Sequence, residues 1–355
     1  MESNGNFKGI TYSVIVTVAL VGILGALIGM SYQSSIGSRV GGSIVEKASQ
    51  DVSDQKLENT KATIAGALKF GTMLSALDVA AQGGTADSLT YWECNGEPQP
   101  PELNEVLFAL SNTSIQYFNS YLKTLKKDLK EKFINVSECD CVAIKPPKKE
   151  ICMNEDCSSF GSGAKDEKIK VTFPTNTSYD GDIEVDISPI RFWMFYYRLY
   201  DFFKNNKLLQ VIQQSMQANC PEDALVKYEI AYQDVCRDLI KELSRHDSPG
   251  GIECKTIKSE YEGDDHTEIL CTHKYIDCRI VETGAPHTDC ERDPREDICF
   301  SKKDYMQGNN KGILIELKDK KYKPLGEKPM IFNIHAVFIG LNIPECKPIN
   351  QPINS

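Results

Sequence analysis

The sequence predicts an α+β protein: an N-terminal transmembrane helix and helical stalk, then a disulfide-rich head in which amphipathic helices pack on a mainly antiparallel sheet. Three observations carry this expectation. Residues Ile10 to Met30 form 21 consecutive positions without a charge. Most of the chain up to about residue 245 repeats its apolar residues at helical spacing, whereas most of the chain beyond it alternates apolar and polar. All 13 cysteines, from Cys94 to Cys346, lie after the apolar run.

Met1 to Gly9 is a short polar leader, expected on the cytoplasmic side. A helix over residues 10–30, rising about 1.5 Å per residue, covers roughly the 30 Å of a bilayer's hydrocarbon core, so this segment is expected to anchor the chain in the membrane. A cleaved secretory signal would have a shorter apolar region and a small-residue cleavage site, which this sequence lacks. The flanking charges, Lys8 before and Arg39 and Lys47 after, orient the span only weakly. Cysteine usage orients it better: a reducing cytoplasm rarely accommodates so many thiols without metal motifs or catalysis, so the C-terminal part is expected outside.

Gly37, Gly41 and Gly42 weaken any helix above the span and predict a hinge. From Ile44 to about Gln82, Val45, Ala48, Val52, Leu57, Ile64, Leu68 and Leu74 return at spacings that fit a helix, polar enough at first for a stalk and apolar enough later to be packed. Residues 83–101, with Pro98, Pro100 and Pro101, read as a connection. An amphipathic helix runs from there to about Phe133. Short β-prone runs then occupy Cys141 to Lys145, Lys168 to Phe173 and Asp182 to Ile187, with 148–163 as a looped insert. Ser188-Pro189 opens an aromatic helix, Phe192 to Phe203, whose rings fall on most sides and so predict a central, buried position. A helix over 208–218 and one from Pro221 to about Arg245 complete the helical part. Strands are expected at Glu253 to Tyr261, Thr267 to His273, Tyr275 to Val281, Ile313 to Leu317 and Pro329 to Leu341, the first two joined by the acidic turn Glu262-Gly263-Asp264-Asp265. The expected organisation is leader 1–9, span 10–30, hinge and stalk 31–82 and head 83–355, with a sub-boundary near 188.

A net charge of −10 argues against nucleic-acid binding, which needs clustered Lys and Arg. The basic run from Lys123 to Lys132 is interleaved with Leu125 and Leu129 at helical spacing and reads as a solvated helix face. Walker A, G-x-G-x-x-G, G-x-S-x-G and H-E-x-x-H patterns are all missing, so no catalytic residue, cofactor or metal ligand is nominated. Cys94, Cys139, Cys141, Cys152, Cys157, Cys220, Cys236, Cys254, Cys271, Cys278, Cys290, Cys299 and Cys346 lack the doubled short spacing of a zinc site and are read as disulfide candidates. Thirteen is odd, so at least one is free or pairs between chains; pairings within 254–299 are the favoured set. Asp264, Asp265, His266 and His273 could form a metal site, but a solvated turn is the favoured reading. Asn112, Asn135 and Asn176 stand in glycosylation sequons.

Phe7-Lys8-Gly9, leading directly into the apolar run from Ile10, resembles the class III signal of archaeal type IV pilin-like proteins. The resemblance implies that Lys8 and Gly9 are the recognition pair, that Ile10 becomes the new N-terminus, and that retained apolar helices pack in a filament core with the heads outward. Together these features lead to the expectation of a non-enzymatic surface protein, held in the membrane by residues 10–30, with protein partners or self-assembly. Two alternatives stay open: a ligand- or partner-binding ectodomain using a groove beside Phe192 to Phe203, and an extracytoplasmic hydrolase gathering His266, His273 or His335 with carboxylates.

Overall fold

The computed structural model describes residues 42–338 apart from 86–90, 95–96, 131–134, 137–141, 165–168, 173–177, 182, 206, 219–223, 248–249, 262–263, 284–310 and 327. The predicted leader and span, with Lys8, Gly9 and Ile10, lie outside the described residues, as do Cys139, Cys141, Cys220, Cys290, Cys299, Cys346 and Asn176.

The described chain mixes helix and sheet. Helix α1 spans Gly42–Ala81 and α2 Leu103–Lys130. The short α3 covers Lys149–Asn154, and α4, α5 and α6 cover Phe192–Lys204, Lys207–Ala218 and Ala224–Leu243. The main sheet contains β1 (Tyr91–Cys94), β2 (Glu97–Pro98), β9 (Glu253–Tyr261), β10 (Asp264–Thr272), β11 (Ile276–Thr283), β12 (Lys311–Asp319) and β13 (Met330–Phe338), in the order β2-β1-β13-β12-β11-β10-β9. Its pairs are antiparallel except β1 with β13, which is parallel and carries a register shift between Tyr91 and Glu93. Two three-stranded sheets accompany it: β3 (Asn135–Val136) with β6 (Ile169–Thr172) and β7 (Ser178–Gly181), and β4 (Val142–Lys145) with β5 (Phe160–Ala164) and β8 (Glu184–Ile187).

Helix α1 is continuous, but its two halves differ. From Thr60 onward its residues enter the core, where Ile64, Leu68, Ala76 and Ala80 are fully buried. The stretch Glu58–Ala81 is long and apolar enough to cross a membrane by length and composition. Here its apolar face is used against α2: a Cβ at Gly71 would sit 3.1 Å from the Phe118 backbone nitrogen, so a larger residue there would have to push the two helices slightly apart. The expected stalk, drawn to residue 82, therefore ends inside the head, because a helix apolar on one face must bury that face.

Around α4, Trp92 packs edge-on against Tyr196, Phe203 and Phe332, with Phe192 and Phe195 also against Phe332. Residues Phe192 to Leu199, Phe202 and Phe203 are buried and Tyr200 is half-buried, leaving no row of exposed rings to line a groove beside this helix. Each ring of this size removes roughly 150 to 250 Å² from water.

The acidic hairpin differs from expectation. Asp264 pairs with Tyr261, Asp265 with Glu260 and His266 with Ser259, so these residues extend β10 and do not form the turn. Cross-strand backbone bonds satisfy every amide they reach and outweigh the weak preference of Asp for turns.

Three disulfides are formed among the described cysteines. Cys254–Cys271 joins β9 to β10, Cys236–Cys278 joins α6 to β11, and Cys152–Cys157 closes the loop after α3. The favoured set within 254–299 is corrected at Cys278, whose partner is Cys236: α6 packs on β10 and β11 and brings that thiol over the sheet. Cys94 ends β1.

Candidate functional site

Five segments far apart in sequence meet at one corner of the head: the Cys152–Cys157 loop, the residue before α4, the turn after α6, the β10–β11 connection and the chain after β12. Arg191, fully buried, holds them together. Its Nε donates to Asp319 Oδ2 at 2.9 Å, Nη2 makes a second bond to the same carboxylate, and Nη1 reaches Asp247 at 3.2 Å and Asp156 at 3.5 Å. Lys321 Nζ lies 2.6 Å from Asp156 and 2.7 Å from Asp247, and the Tyr322 hydroxyl donates to Asp156 at 3.0 Å. Burial alone would raise the Asp156 carboxyl, but the hydrogen bond from Lys321 and the charge of Arg191 hold it below its usual range. Burial likewise works against the Arg191 guanidinium, and Asp319, with the charges of Asp156 and Asp247, more than compensates. Two cations thus face three carboxylates, with the Arg191 guanidinium 5.7 Å over both the Phe195 and Tyr322 rings.

Two turns along α4, Arg198 is buried and hydrogen-bonds to no carboxylate among the described residues. It donates to the carbonyls of Cys152 (3.1 Å), Glu155 (3.1 Å), Glu242 (3.3 Å) and Leu243 (2.9 Å). These belong to the C-terminal ends of α3 and α6, where carbonyls lack intrahelical donors and carry partial negative charge. Burial, the dominant influence, pulls the Arg198 pKa down. Sequence reasoning nominates neither arginine. The available signal is a pair of arginines seven residues apart flanking and entering an almost wholly apolar helix.

The corner is a closed ion network with every cation engaged, and its described residues offer no free base or nucleophile. His273 is buried beside it, its Nδ1 accepting from the Tyr275 amide at 3.4 Å, and a Cβ at Gly250 would stand 2.8 Å from its Nε2. His335 lies elsewhere, within β13, its ring edge-on to Tyr91 at 6.2 Å and its Nε2 without a partner among the described residues. Burial pushes its pKa down to about 4. Glu93 on β1 is fully buried, both carboxyl oxygens equally unpartnered, and burial pushes it up to about 7. Neither His273 nor His335 is bonded to a described carboxylate, so the pocket expected of a hydrolase is not assembled from them; the side chain of His266 lies outside the described set. Among the described residues no group of three or more His, Cys, Asp or Glu could hold a metal ion.

Between α1 and α2 runs a groove of about 380 Å³ lined by polar side chains including Asp78, Gln82, Thr113, Gln116 and Tyr117. The Tyr117 hydroxyl donates to Asp78 across it. Next to Thr113, the sequon at Asn112 sits in mid-helix, with the Ser114 side chain at 0% exposure. An acceptor sequon needs a surface loop, so Asn112 is expected to stay unmodified in the folded protein, whereas Asn135 opens the short strand β3. Mass spectrometry of peptides from native material checks this: a glycan on Asn112 contradicts it.

Comparison with protein-family models, with curated proteins and with solved structures gives no match for this chain.

Proposed function

We propose that the chain is a membrane-anchored, extracytoplasmic surface protein with a structural or interaction role, built on a pilin-like plan. One observation carries the reading: the apolar run ends at Met30, and α1 begins at Gly42 and continues without a break into the core of the head. A helix packed in this way carries the head on a stalk that points back toward the span, with the hinge expected at residues 31–41 between the two. Three disulfides support placement in an oxidising compartment. In the pilin-like plan, residues 10–30 anchor the subunit and then pack with their copies, Lys8 and Gly9 direct processing, and the α+β head faces outward.

The test is the intact mass and N-terminal residue of protein recovered from native membranes, with and without reduction. A chain beginning at Ile10 is the expected result. One retaining Met1 to Gly9 overturns pilin-type processing, and recovery in the soluble fraction overturns the anchor.

A further inference from the structure

The loop closed by Cys152–Cys157 contributes far more bonds than its length suggests. The Cys152 and Glu155 carbonyls accept from Arg198, each at 3.1 Å. Its Asp156 carboxylate serves Arg191, Lys321 and Tyr322. The Met153 carbonyl lies 3.4 Å from His246 Nε2, and the Ser158 carbonyl, just beyond the bridge, accepts from the Ile190 amide at 2.9 Å. One short stretch therefore joins α4, the turn after α6 and the chain after β12.

Little in the loop itself fixes this shape. Helix α3 has six residues, too few to be stable alone. Asn154 and Glu155 lie toward the surface; beyond the short ladder of α3, the segment's own bonds are Ile151 N and Cys152 N to Lys148 O, Glu155 N to Ile151 O, Cys157 N to Glu155 O and Asn154 Nδ2 to Glu150 O. The covalent bridge beneath those residues adds a restraint that these few local bonds do not supply. Neither of the other two described disulfides holds a group bonded to Arg191 or Arg198.

We propose that the Cys152–Cys157 loop is a redox latch for this corner. Reduction by a dithiol breaks the sulfur–sulfur bond, delivers two electrons and two protons to give two thiols, and leaves the dithiol as its own disulfide. The freed loop then withdraws two of the four carbonyls that solvate Arg198 and the carboxylate shared by Arg191 and Lys321. Buried guanidinium groups left short of partners draw in water, because an unmade hydrogen bond to a buried charge costs more than loosening the surface loop. The corner is ordered while the bridge is closed and opens when it is reduced. This inference rests on the head alone and stands whether or not residues 10–30 are processed.

Hydrogen exchange on the full chain in detergent tests it, comparing the wild type with Cys152→Ser/Cys157→Ser and, as a control, Cys254→Ser/Cys271→Ser. Amides in 149–158, 244–247 and 319–322 are expected to exchange at least about tenfold faster in the first variant and at the wild-type rate in the control. Stepwise dithiothreitol reduction of the wild type, with thiols alkylated and mapped by mass, gives a second reading that needs no variant to fold. There the same amides should lose protection as label enters Cys152 and Cys157. Wild-type exchange in the first variant, or a corner that loosens only as Cys254 and Cys271 become labelled, overturns the latch.

Discussion

Replacing Arg198 with methionine should lower the unfolding free energy by about 3 to 5 kcal/mol, because four carbonyls lose a charged donor together and each orphaned acceptor costs on the order of 1 kcal/mol. Methionine fills a similar volume, so the loss reports the missing donors more than a cavity. The Cys152, Glu155, Glu242 and Leu243 carbonyls all lose a donor at once, and they terminate two different helices. Arg198→Lys should recover only part of the loss, because a single ammonium cannot reproduce a planar fork that reaches both helix ends. As a contrast, Lys145→Ala removes an exposed ion pair with Glu184, whose side chains are 58% and 68% accessible, and should change stability by less than about 1 kcal/mol. Denaturant titrations measure all three, since a shift of midpoint at constant slope is a change in stability. An Arg198→Met chain as stable as the Lys145→Ala one would show that the carbonyls find water instead.

Why these arginines escape a sequence reading is a matter of range. Amphipathic periodicity reports which face of a helix is apolar, and it locates α2 over Leu103–Lys130, the buried aromatic α4 and, to the residue, the strand Glu253–Tyr261. It says nothing about a cation whose partners lie 43 to 46 residues away, as for Arg198, or 128 residues away, as for Arg191 and Asp319. Strand β1 is hidden for a different reason. Four residues set between Gly- and Pro-rich stretches carry no readable alternation, and Tyr91–Cys94 becomes a strand only because β13 offers a parallel edge to pair with. The insert at 148–163 reads as loop in the sequence. It contains α3, held by the disulfide and by bonds to Arg198, and most of β5, which becomes a strand by pairing with β4 on one side and β8 on the other. The pairing of Cys236 with Cys278 depends on how α6 lies across the sheet, which spacing alone does not encode.

Glu93 and His335 should give the head two opposed pH dependences that cancel in the wild type and become visible one at a time. The Glu93 carboxyl is raised from an ordinary 4.5 to about 7 by burial. The folded state therefore holds this proton more tightly than the unfolded chain, and the associated stability is fully present below about pH 4.5 and lost as pH rises through 7. His335 is lowered from 6.5 to about 4, again by burial. Its contribution has the other sign: fully present above about pH 6.5 and lost as pH falls through 4. Each shift corresponds to roughly 3 kcal/mol at about 1.4 kcal/mol per pH unit. Both side chains are nearly or wholly inaccessible, at 0% and 6%, so solvent screening reduces the effect little. Between about pH 4.5 and 6.5 the gain from one offsets the loss from the other. Glu93→Gln removes the first titration and should leave a chain whose stability, relative to the wild type at each pH, climbs by roughly 3 kcal/mol from about pH 4.5 to 7. His335→Phe removes the second and should leave one that falls by a similar amount, relative to the wild type, from about pH 4 to 6.5. Taking each difference at matched pH subtracts the background from all other carboxylates. Unfolding in a buffer series from about pH 4 to 8 decides the matter. Relative slopes of the same sign in the two variants would mean that at least one of these groups is not buried without a partner in solution.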